Sequence, residues 1–347
     1  MNLHRSKLYF EDIDRALRHV VGSKKLFGKS VIITGATGTI GSFVADALIR
    51  INQQNTANLK VYLAGRDLEK LQMQYEGCSD VGFLKYDMNS PIEFNIQVDY
   101  IIHTAGNAHP AAFNGNPVGT TVGNIESTFE LLEYLRKHQG KRLLYVSSGE
   151  VYGQGDVSLD AFKEEYVGYV NILSPRSCYS LSKRMTENLC ASYWKQYGVE
   201  TVIVRPCHTY GPYMTSTDNR AHVQFFHNAL AGEDIVLKSA GSQMRSYNYV
   251  GDCVSALLTV LVNGASGEAY NLANPDARLT IAQFAEKIAK AASQKIIFEA
   301  PSSTDIANRS PILKQVLNSK KVEKLGWTPA FSVEDGICHT LNILKGM

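Results

Sequence analysis

The chain is predicted to be an α/β protein: a doubly wound parallel sheet with a smaller, discontinuous α/β domain for a substrate. Three observations carry this. Short apolar runs alternate with helical stretches, the runs are apolar throughout, and a glycine-rich segment follows the first of them directly. In order, the reading is VIIT (31–34), a helix after Gly41, VYLA (61–64), a helix from Asp67, and FLKYD (83–87). YIIHTA (100–105), a long helix from Ile125 to His138, LLYVSS (143–148), a helix from Tyr179 to Tyr197, and VIVRPC (202–207) complete the series. Strands without polar alternation suit a parallel sheet covered by helices on both faces. Residues 29–211 form this unit, completed by a segment near 250–275 in which AYNLA (269–273) returns to the sheet. After Gly211 the rhythm breaks, and residues 212–347 read mainly as the second domain. Residues 1–28 form an N-terminal helical extension with Leu8, Ile13, Leu17 and Val20 or Val21 on one side, its partner surface undetermined.

Composition narrows the function. The 347 residues are 44% hydrophobic and 20% charged with a net charge of +2. That is a globular balance with no nucleic-acid footprint and no polybasic membrane patch. The expected partner is therefore a small molecule or a protein. Six widely spaced cysteines without a CxxC pair set no disulfide framework and no metal site, so a reducing cytoplasm is the expected setting. The N-terminal residues carry charges every few positions and lack the apolar run of a signal peptide or membrane span.

The segment GATGTIGS places Gly35, Gly38 and Gly41 between a strand and a helix. Glycines there let the backbone turn tightly and approach a pyrophosphate, and the helix start offers free N–H groups. Gly35, Thr37, Gly38, Thr39, Ile40 and Gly41 are thus candidate dinucleotide contacts. The second strand ends in LAGRD, with Gly65 where an NAD site usually carries an acid and Arg66 beside it. An arginine pairs with a 2′-phosphate, which favours NADP over NAD. Asp87, followed by Met88, ends the third strand, where it meets an adenine amino group or caps a turn.

Tyr179 and Lys183 stand four apart, which stacks them on one helix face. A nearby ammonium is expected to lower the phenol from its usual value of about 10. Such a tyrosine exchanges a proton with a hydroxyl while a hydride leaves the same carbon. The spacing alone is common; its place after LLYVSS, in a chain with a glycine loop, is what gives it weight.

With GATGTIGS, HTAGNAHP, YVSSGEVYG, PRSCYSLSK, RPCHTYGPYM, SQMRSYNYVGD and KKVEKLGWTPAFSVEDGI, residues 29 to 345 resemble the extended short-chain dehydrogenase/reductases that act on nucleotide sugars. The resemblance implies a Rossmann domain, a bound NAD or NADP, a nucleotide-sugar substrate and a homodimer. It implies that Tyr179 is the acid/base residue and that Lys183 holds the nicotinamide ribose. Ser148 would hydrogen-bond the reacting hydroxyl, Asn124 would stand behind the site, and Ala105 and Gly106 would touch the cofactor. His208 stands where relatives usually carry asparagine, and Arg245 matches an arginine that pairs with the substrate diphosphate. Arg309 resembles a second diphosphate or ribose contact, although Ile312 occupies a position where relatives carry aspartate.

Within that family the segments most resemble UDP-glucuronate decarboxylases, which oxidise C4, release carbon dioxide and reduce C4 again. Glu150 sits where decarboxylases and 4,6-dehydratases carry a glutamate suited to proton handling at C5 and C6. Gly149 replaces the acid of the dehydratases, and Ser180 and His208 replace decarboxylase residues. Three other outcomes stay open: 4-epimerisation, 4,6-dehydration, and net reduction of a keto sugar by NADPH. A non-catalytic dinucleotide-sensing relative is the alternative of another class.

Overall fold

The apolar runs become neighbouring strands. The computed structural model describes residues 3–78, 80–214, 218–302 and 310–346. Its first half runs α1 (Lys7–Arg18), β1 (Ser30–Thr34), α2 (Thr39–Asn55), β2 (Lys60–Gly65), α3 (Leu68–Gln74), β3 (Val81–Lys85), β4 (Tyr100–His103), α4 (Pro110–Gly115), α5 (Pro117–Lys137), β5 (Arg142–Val146), α6 (Cys178–Tyr197) and β6 (Glu200–Pro206). The second half runs β7 (His208–Tyr210), α7 (Ala221–Ala231), β8 (Ile235–Leu237), β9 (Met244–Tyr249), α8 (Val250–Asn263), β10 (Glu268–Leu272), β11 (Arg278–Thr280), α9 (Ile281–Ala292), β12 (Ile296–Phe298), β13 (Lys314–Gln315), α10 (Lys320–Glu323) and α11 (Val333–Lys345).

Seven strands pair in the order β3-β2-β1-β4-β5-β6-β10, all parallel. β1 is buried along its whole length, so its residues alternate between two cores rather than between core and water. Val31 and Ile33 face a cluster with Phe43 and Val44 of α2 and Leu257 of α8. Ile32 faces the other, with Leu131 of α5 and Cys190 of α6. The strand order reverses between β1 and β4, and the crevice beyond their C-terminal ends is where such sheets bind ligands.

The second half builds a small sheet, β11-β9-β13, with β7 also paired to β9, and a two-stranded β8–β12 pair. β7 follows β6 after only Cys207, whose N–H donates to the Leu272 carbonyl of β10 (3.1 Å).

The N-terminal helix packs on its own chain. Tyr9 and Ile13 are fully buried, while Leu8 and Leu17 pack at its margin. Two buried acids fasten it. Asp12 accepts from Tyr249 of β9 (2.6 Å) and meets His339 of α11 (2.7 Å). Asp46 of α2 accepts from Tyr9 (2.5 Å) and Tyr213 (3.3 Å) and meets His4 (2.8 Å). Each carboxylate thus keeps hydrogen-bond partners in place of water, without which its burial would be costly.

Candidate active site

At the switch point, the backbone between β1 and α2 makes the turn that its glycines allow. Gly35 has φ +70°, and a Cβ there would lie 2.8 Å from the backbone nitrogen of Ala105. A Cβ on Gly41 would lie 2.2 Å from the Gly35 carbonyl oxygen, so any larger residue would push the helix off the loop. Gly38 is the N-cap of α2 and supplies no side chain to its free N–H groups. This cradle fits a dinucleotide pyrophosphate. Gly38 to Gly41, with Thr104 and Gly106 across from them, line one end of a cavity of about 880 Å³.

The catalytic candidates line the same cavity: Ser148, Glu150, Tyr179 and Lys183. Ser148 caps the short 3₁₀ turn Gly149–Tyr152 that follows β5, its hydroxyl accepting from the Glu150 N–H (3.1 Å). Arg184 of α6 holds that turn, donating to the carbonyls of Val151 (2.6 Å) and Gly168 (2.9 Å). Ser148 beside Tyr179 and the Arg220 guanidinium ease the phenol, while the Glu150 charge raises it. Burial is the largest influence; with the Glu150 charge adding to it, it outweighs Ser148 and Arg220 and pushes Tyr179 up to about 12.

The expectation that Lys183 lowers the phenol is thereby corrected. Its ammonium donates to the Val146 carbonyl (2.8 Å) and lies 4.6 Å from the Tyr145 ring centroid but 5.8 Å from that of Tyr179. Burial brings Lys183 down to about 8. Asn124 is buried behind the pair, donating to Ser182 of α6 (2.9 Å). His103, which hydrogen-bonds Thr34 (2.7 Å), is held neutral down to about 3 by burial and by the Lys183 charge.

The far wall comes from the second half. His208 and Arg245 line the cavity as expected, joined by Arg220, His222, Tyr247 and Gln315. Arg245 is 4% exposed, and its guanidinium donates to the carbonyls of Met244 (2.8 Å) and Ile312 (2.8 Å) and to Gln243. Among the described residues it is held by carbonyl dipoles and forms no ion pair with a carboxylate, which leaves its charge for an anion. Arg220 pairs with Asp218 through both carboxylate oxygens. The His208 and His222 rings lie 5.9 Å apart, and both are held neutral by burial and the neighbouring arginines. Arg220 and His222 carried no sequence signal, because they come from a polar stretch without a recognisable spacing.

A family model described as the NAD dependent epimerase/dehydratase family matches residues 31–273. The chain belongs to this family. It is 33% identical to UDP-glucuronic acid decarboxylase 1 of Xenopus tropicalis over 91% of this chain and 72% of that protein. With UDP-glucuronic acid decarboxylase 3 of Arabidopsis thaliana the identity is also 33%, over 88% of this chain and 86% of that one. Among solved structures, a UDP-glucose 4-epimerase of Thermotoga maritima superposes with a TM-score of 0.76 at 22% identity, covering 91% of this chain and 99% of that one. A dTDP-glucose 4,6-dehydratase of Bacillus anthracis gives 0.74 at 22%, covering 92% and 97%. These two likenesses bear on the fold.

Some epimerase/dehydratase-family positions named from the sequence lie outside the cavity lining. Thr37, Arg66, Asp87 and Met88 are among them. Arg66 is exposed after β2, beside Asp67, which caps α3 by accepting from the Lys70 N–H (2.9 Å). Gly65 has a second reason to lack a side chain: a Cβ there would lie 2.8 Å from Leu71. Asp87 accepts from the Asn89 N–H (3.0 Å), so it acts as a turn cap here. Arg309 lies outside the described residues. Among the described residues, no cluster of His, Cys, Asp or Glu is arranged to hold a metal, and no helix is long and apolar enough to cross a membrane.

Proposed function

We propose that the protein oxidises the C4 hydroxyl of a nucleotide sugar to a ketone, with UDP-glucuronate as the substrate and loss of carbon dioxide as the outcome. The observation that carries this is the gathering of Ser148 and Tyr179 in one cavity with Glu150, Lys183 and the glycine cradle. A bound nicotinamide dinucleotide would supply the hydride acceptor. Tyr179 takes the proton of the C4 hydroxyl, and Ser148 orients that hydroxyl. Lys183 holds the cofactor ribose. Arg245 meets the diphosphate, with Arg220 adding positive charge near the sugar. Glu150, which accepts weakly from Gln315 (3.4 Å), manages the proton at C5 after the carboxylate departs.

Dehydration is disfavoured by the wall beside Glu150. A Cβ on Gly149 would already touch Leu317 (3.3 Å) and Gln315 (3.4 Å), so no second acid fits there without displacement. Incubation with UDP-, dTDP-, CDP- and GDP-sugars, read by product mass, tests the proposal. Loss of carbon dioxide from UDP-glucuronate supports it. Gain of two hydrogens from NADPH on a keto sugar, or an unchanged mass with inverted C4, replaces it with reduction or epimerisation.

For the cofactor, the exposed Arg66 next to Gly65 supports NADP over NAD. Arg66→Ala is expected to reduce NADP affinity about tenfold, the loss of one charge-assisted phosphate contact, with NAD affinity unchanged. Calorimetric titration of both dinucleotides checks this; an unaltered ratio removes Arg66 from the cofactor site.

A further inference from the structure

One face of Tyr179 is covered by Phe113, whose ring is nearly parallel to it (14°) with centroids 5.3 Å apart. Phe113 belongs to the short helix α4, is 4% exposed and lines the cavity. With Cys178 and Tyr179 it forms a small apolar cluster separate from the cores of the sheet. Two contacts hold it there: the Cys178 thiol donates to the Phe113 carbonyl (3.6 Å), and the Arg176 guanidinium rests 5.7 Å from its ring centroid. The Ala111 N–H donates to Asn219 (3.1 Å), which ties α4 to the segment leading into α7.

We propose that Phe113 is a positioning residue for Tyr179, its ring fixing the plane of the phenol and closing that face to water. The proposal rests on Tyr179 as the acid/base group. A ring stacked at this distance fixes the plane of the phenol and blocks swings about the first side-chain torsion, which sets where the hydroxyl lies relative to Ser148. It also excludes solvent. The other groups acting on the phenol are Ser148 and Glu150 on the turn after β5, Arg220 before α7, and Lys183 one helical turn along α6. Phe113→Ala leaves all four in place and admits water to the face of the ring. The phenolate is then better solvated, so the proton leaves at lower pH.

Phenolate absorbance, taken as the difference between each protein and its Tyr179→Phe counterpart, isolates this one tyrosine. Wild type, Phe113→Ala and Phe113→Tyr are compared over the pH range in which far-ultraviolet circular dichroism is constant. The alanine variant is expected to titrate roughly one pH unit lower, a tenfold change in proton affinity, and the tyrosine variant with wild type. The low-pH limb of turnover on the nucleotide sugar is expected to move in the same direction. A lower thermal midpoint with an unmoved titration would make Phe113 a packing residue only and overturn the proposal. Absence of turnover on every sugar would refute the proposed reaction instead, while the titration still decides the role of Phe113.

Discussion

Tyr179→Phe is expected to lower turnover of a nucleotide sugar about 10³-fold, the span over which positioned acid/base groups act, and to leave dinucleotide affinity unchanged. The substitution removes one oxygen and keeps the ring, so the stack on Phe113 and the packing of α6 survive. Ser148 keeps its hydrogen bond from the Glu150 N–H and loses only the phenol. A substrate C4 hydroxyl then has Ser148 to orient it and nothing to take its proton. Steady-state turnover, with calorimetric titration of the dinucleotide, separates the two effects. Activity within a few fold of wild type would remove Tyr179 from the chemistry, whatever its surroundings.

Lys183→Met should do something less usual, stabilising the cofactor-free protein while disabling it. The ammonium is 4% exposed, and its depression from 10.5 to about 8 corresponds to about 3 kcal/mol of unfavourable burial. The sign follows from linkage. A base whose folded value lies below its unfolded value is penalised wherever the unfolded chain is protonated. The penalty is therefore complete below pH 8, fades between there and 10.5, and is gone above. Methionine fills similar volume without the charge. At pH 7 the thermal midpoint should rise by roughly 5 °C, with little gain near pH 10.5. Turnover should fall about a hundredfold or more, with weaker dinucleotide binding. Melting curves at the two pH values check it; equal or lower stability at pH 7 would mean that the buried ammonium is well solvated by its neighbours.

Much of this arrangement was legible in the order of residues because it depends on local rules. Runs such as VIIT and VIVRPC specify strands buried on both faces, and Gly35 and Gly41 sit where a Cβ has no room. Tyr179 and Lys183 share a helix, so their proximity needed only spacing. What spacing does not encode is direction. The Lys183 ammonium turns to the Val146 carbonyl, and the phenol rises where proximity alone suggested that it should fall. Residues brought from afar were equally hidden. Phe113, the Arg220–His222 stretch and Gln315 reach the cavity from three separate segments, and no periodicity joins them. The anchoring of α1 was hidden for the same reason, since Asp12 and Asp46 look like ordinary helical acids until Tyr249, Tyr9 and Tyr213 close on them.

The passage from β6 to β7 through Cys207 alone bears on how the two halves work together. His208 stands two residues beyond the end of β6, and its strand is already paired to β9, which carries Arg245. Two side chains of the cavity wall, His208 and Arg245, are thereby tied to the main parallel sheet through the strand that continues from β6. At this seam the chain passes between the two sheets through one residue, whose N–H is itself tied to the Leu272 carbonyl of β10. If His208 faces the sugar, its replacement is expected to change what is bound while the β7–β9 pairing that holds the wall stays in place.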